Sequence, residues 1–99
     1  MKKIRYMRGL GPSSEALLAT IDINSAEQLK EIGAIRAFLK LKEINGQQPN
    51  MNLLYAMVGA LEDESWLTIA QQQRYQLLMA LDGFEELERQ LSLEGLSLQ

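Results

Sequence analysis

Neither cysteine nor histidine occurs in the 99 residues. The first absence excludes a disulfide framework and thiolate metal sites. The second removes the usual nitrogen ligands of zinc, histidine-based acid–base catalysis and a Ser–His triad. Aromatics are scarce, six in all, so leucine, isoleucine, methionine and alanine have to fill most of the interior. Long hydrophobic runs are missing too. The longest, Leu53 to Leu61, falls far below the ~18 residues expected of a membrane span. Met1-Lys2-Lys3 is basic, but Arg5 and Arg8 interrupt the apolar stretch that a signal peptide needs. The expectation is a cytoplasmic chain with no membrane partner, no metal and no cofactor.

What is present suits a globular protein: 46% apolar and 23% charged residues. The length allows one core and one domain over residues 1–99, with a short basic lead-in at 1–8 and a tail at 92–99. The net charge of −3 hides an asymmetry. Residues 1–42 carry eight bases against four acids, and residues 43–99 carry two bases against nine acids. A basic front could meet a polyanion, and an acidic rear would face away from it or meet a protein.

The densest signal is Arg8-Gly9-Leu10-Gly11-Pro12-Ser13-Ser14-Glu15. Gly9 or Gly11 can end an incoming turn through a positive φ, and Pro12 suits the first turn of a helix carrying Leu17, Leu18 and Ile21. Bare amides at such a helix start, aided by the macrodipole, form an anion site of the helix-hairpin-helix kind. The candidate nucleic-acid contacts are Arg5, Arg8, Gly9, Leu10, Gly11, Ser13 and Ser14, with Lys2 and Lys3 adding charge. No side chain there is suited to reading base edges, so such binding to DNA would be phosphate-directed and salt-dependent. The plain alternative is a tight corner between helices beside a solvated basic arm.

Further helices follow from caps and periodicity. Ser25 with Gln28 is a capping box, and Gly33 breaks that second helix after Ile32. A third runs from Ala34 to about Ile44 with Ile35, Phe38 and Leu39 on one stripe. After a loop at 45–49, Asn50 caps a fourth with Leu53, Leu54, Met57, Val58 and Leu61 at helical spacing, and Gly59 and Ala60 allow a close neighbour. Glu62-Asp63-Glu64 marks a turn, since negative charge is unfavourable at a helix C-terminus. Trp66 is expected to plug the core beside it. Thr68 with Gln71 reads as a second capping box, opening a long helix with Leu77, Leu78, Leu81, Phe84, Leu87 and Leu91. Gly83 weakens its continuity. No strand-like alternation appears, so the fold class is all-α, a compact bundle of about five helices.

No catalytic role emerges. Ser13 and Ser14 have no base near in sequence, and the three consecutive acids could at most hold a hard cation, though they are more simply a solvated cap. The last helix offers a different possibility. Its leucine stripe either folds back on Phe38 and Met57 or, through Phe84, Leu87 and Leu91, meets a regulator protein or its own copy as a homodimer. The methionines read as gap fillers.

Several segments occur in a telling order: Arg8 to Glu15, then Ile32-Gly33-Ala34 leading to Phe38-Leu39-Lys40-Leu41-Lys42, then Asn52 to Leu61, then Trp66. Over roughly residues 6–82 this resembles the C-terminal domain of the TfoX/Sxy family of bacterial competence regulators. The resemblance implies a small helical domain with a helix-hairpin-helix-like opening, in the bacterial cytoplasm. It also implies transcriptional activation of DNA-uptake genes, with the cyclic-AMP receptor protein as associated regulator. Full-length members carry a separate N-terminal α/β domain. With Met1 a few residues ahead of the hairpin, a standalone copy is expected here. The hairpin has Pro12-Ser13-Ser14 where many DNA-binding hairpins place a lysine. The favoured expectation is DNA-associated regulation, and the competing one is a protein-docking domain without DNA affinity.

Overall fold

The computed structural model describes residues 2–45 and 49–93, without the side chains of 45, 88 and 90–93. Among them are six α-helices, a single 3-10 turn and no strand. The 3-10 turn is Ile4–Tyr6, and the α-helices are α1 (Pro12–Ala19), α2 (Ala26–Ile32), α3 (Ala34–Asn45), α4 (Met51–Glu62), α5 (Trp66–Gln72) and α6 (Arg74–Leu93). The all-α class is as expected, with one helix more than the pattern suggested.

Most boundaries follow from local chemistry. Ser25 Oγ accepts the Gln28 N–H at 3.2 Å, and the Gln28 side chain reaches back to the Asn24 N–H rather than to that of Ser25. Gly33, at φ +86°, ends α2 and lets α3 start at once. Asn50 Oδ1 accepts the Asn52 N–H at the head of α4. At the end of α4, Asp63 adopts the left-handed conformation and the Glu64 N–H returns to the Gly59 carbonyl at 2.8 Å. That is a helix stop of the Schellman type, built without glycine at the left-handed position.

The corner after α4 corrects two expectations. Trp66 does not plug the core: it is the first residue of α5 and 44% exposed. The cap there is Ser65, whose Oγ accepts the Thr68 N–H and pairs with the Thr68 hydroxyl at 2.9 Å. Thr68 therefore lies in the first turn of α5 and does not open the long helix. The long helix α6 begins after a break at Gln73, where neither glycine nor proline signals one.

Gly59 makes the corner possible. A Cβ placed there would stand 2.5 Å from the Glu64 carbonyl oxygen, so the chain leaving α4 crosses the helix at backbone distance. The core lies beneath this corner. Phe38 and Leu41 of α3, Leu54 and Met57 of α4, Ile69 of α5 and Ile4 of the 3-10 turn are almost wholly buried. Each large apolar side chain so placed contributes about 1.5–3 kcal/mol of transfer free energy. Helix α6 packs on α3 and α5, sending Leu77 and Leu81 into the same core. No described helix is long and apolar enough to cross a membrane.

Candidate functional site

The hairpin was the first place to look. Gly9, at φ +79°, needs its glycine, whereas Gly11 is extended at φ −133° and does not. Leu10 between them is buried, so only its backbone is available to a ligand. A helix-hairpin-helix requires a helix on each side. Here α1 follows the hairpin, but only the three-residue 3-10 turn precedes it. The start of α1 is open in the expected way: Gly11 offers no side-chain cap, and the Glu15 N–H is the first to return to the Gly11 carbonyl, at 2.9 Å. The amides of Ser13 and Ser14, ahead of it, have no acceptor within the helix.

The cations around those amides are engaged elsewhere. Arg5 donates from Nε and Nη2 to Glu15 Oε1 at 2.9 and 2.8 Å, and its backbone N–H donates to Glu15 Oε2 at 3.1 Å. The Arg5 guanidinium, and then the Arg5 amide, hold the Glu15 carboxyl below the usual carboxylate range. Arg8 Nη1 donates to the Asp63 carbonyl at 3.4 Å, which brings the Glu62-Asp63-Glu64 turn beside the hairpin. Charge along the sequence is therefore not segregated in space. Lys42 of the basic half likewise pairs with Glu85 of the acidic half at 2.8 Å.

The second surface is the outer side of α6. With Leu77 and Leu81 buried against the body, Tyr75, Met79 and Leu87 stand out at 81, 69 and 49% exposed. These positions and Gly83 follow each other four residues apart, and in an α-helix such a series forms one ridge. Gly83 leaves a gap at its middle, where an added Cβ would meet nothing within 4 Å. One border of the ridge carries Asp82 and Glu86, and the other carries Gln76 and Ala80. Glu86 pairs with Arg89 one turn on. Among the described residues Asp82 makes no ion pair. Of the expected interaction residues, Leu87 is on the ridge, Phe84 is half-buried toward the body, and the side chain of Leu91 lies outside the described residues.

The pattern of leucines pointed to the wrong half of this helix surface. Tyr75, Met79 and Gly83 escaped notice, and Met79 is no gap filler. Their signal was the regular spacing of four, hidden because a second apolar stripe runs along the same helix. Among the described residues no group of carboxylates is placed to hold a metal ion.

The comparisons fit this architecture. The family model of the TfoX C-terminal domain matches residues 1–81. No curated protein and no solved structure matches the chain. The match takes in the hairpin, the corner at Gly59 and the buried leucines of α6. The remainder of α6, from Asp82 to Leu93, continues beyond the matched region.

Proposed function

The chain belongs to the TfoX C-terminal domain family, and from that premise we propose that it is a non-catalytic regulatory module that works by docking on another protein through the outer side of α6. The observation that carries this reading is the exposed row of Tyr75, Met79 and Leu87 on a helix whose opposite side is already buried. Apolar side chains gathered on one exposed helix face mark interaction sites far better than scattered ones do. The competence role implied by the resemblance would then be exercised through a bound protein.

A second reading, phosphate contact for DNA-associated regulation, is favoured by the uncapped first turn of α1, with Lys2 and Lys3 as its exposed cations. It is the weaker one, because Arg5 is tied to Glu15 and Arg8 reaches the Asp63 carbonyl. A photo-crosslinking residue at position 79 and, separately, at position 13 distinguishes the two in cells. Crosslinking to a discrete polypeptide from 79 but not from 13 supports docking. Crosslinking to nucleic acid from 13, with nothing from 79, establishes the second reading and overturns the first.

A further inference from the structure

We infer that the ridge of Tyr75, Met79, Gly83 and Leu87 receives an amphipathic helix of another protein, one whose apolar face is bordered by lysine or arginine. This rests on the docking role proposed above and specifies the partner's chemistry. Three observations lead there. The first is Gly83 itself. It lies inside a continuous helix, where glycine costs up to ~1 kcal/mol relative to alanine, and nothing within the chain approaches it. Neither a positive φ nor a close neighbour explains it, and the notch it leaves fits a large apolar side chain from outside.

The second observation is the surface around the notch. Tyr75 and Met79 above it and Leu87 below it are exposed, so an incoming side chain would be flanked by apolar atoms. An i, i+4 ridge of this kind packs against the grooves of a second helix in the commonest crossing geometry.

The third is charge, which selects the occupant. Asp82 and Glu86 line one border, and the other holds the uncharged Gln76 and Ala80. A partner with cations along that edge gains attraction and orientation. A second copy of the chain does not. An antiparallel two-fold pair sets Asp82 and Glu86 against the same acids of the copy, and a parallel pair sets them against Gln76 and Ala80. The notch and both acids lie beyond the part matched by the family.

The test uses the full chain and a fluorescent helical peptide of about 18 residues, leucine on one face and lysine on the others, with a control carrying glutamate in place of lysine. Anisotropy should report binding of the lysine peptide only. Binding should weaken at least about tenfold in Met79→Glu and in the double variant Asp82→Lys/Glu86→Lys, all four positions being on the exposed surface. Circular dichroism melts confirm that the variants fold. Absence of binding, or binding that Met79→Glu leaves unchanged, overturns the inference and the docking role with it. Binding of the glutamate peptide that depends on Met79 leaves the docking role standing and overturns the partner's charge. Self-association that Met79→Glu abolishes, with peptide excluded, replaces the foreign helix with a second copy and overturns the inference.

Discussion

Two residues a turn apart at the end of α4 have opposite requirements. Gly59 has a backbone oxygen where its Cβ would be, and backbone cannot swing aside. Gly59→Ala should therefore lose about 1–3 kcal/mol in urea denaturation. Asp63, at φ +55°, bears a left-handed conformation that glycine adopts without penalty, so Asp63→Gly should gain up to about 1 kcal/mol in the same measurement. The Arg8 contact is to the Asp63 carbonyl and survives that change. Glu15 sets a third expectation. Its carboxyl is held below the value near 4.3 of an unfolded chain, so the folded state binds fewer protons than the unfolded one around that pH. The stabilisation is complete above that value and disappears as pH falls through the lower folded pKa. Thermal melts of Glu15→Gln should start lower at neutral pH and fall less steeply on acidification. Parallel curves for variant and parent would mean that the Arg5 pair contributes nothing.

Helix α6 shows how far periodicity reaches. Its existence and its buried leucines were legible in the sequence, as were the caps at Ser25 and Asn50 and the break at Gly33. Each rests on interactions within a few residues, which a single chain segment announces. The start of α5 was not legible in the same way. Ser65 and Thr68 cap it through paired hydroxyls, while Thr68 and Gln71 present an equally plausible box one turn later. Trp66 looked like core because size and apolarity say nothing about which side of a new helix faces out. The hairpin failed differently: the partner of Arg5 is ten residues away across a turn, and no local rule pairs them. The two apolar stripes of α6 are likewise equivalent until the body has chosen one. At this scale Gly83→Ala is the informative substitution. Thermal unfolding should show a gain of up to ~1 kcal/mol, since the helix improves and nothing clashes. A loss of stability would reveal a structural need for that glycine which the fold does not show.

Across the whole molecule, α6 is fastened to the body by leucines and by one ion pair, and the two are unequal. Leu81 is buried, so Leu81→Ala should lose roughly 2–5 kcal/mol. Lys42 and Glu85 are both substantially exposed, so Lys42→Ala should change denaturation by no more than about 1 kcal/mol. A comparable loss in both would overturn this ranking. The opening residues fasten the molecule in another way. The Lys2 carbonyl accepts the Ala26 N–H at 2.8 Å, and the Lys2 N–H in turn donates to the Glu27 carboxylate. The beginning of the chain thus serves as the lid on a helix more than twenty positions downstream. A version trimmed to start at Ile4 would still encode all six α-helices, yet it would leave the head of α2 open to water and weaken the grip of the 3-10 turn that puts Ile4 inside.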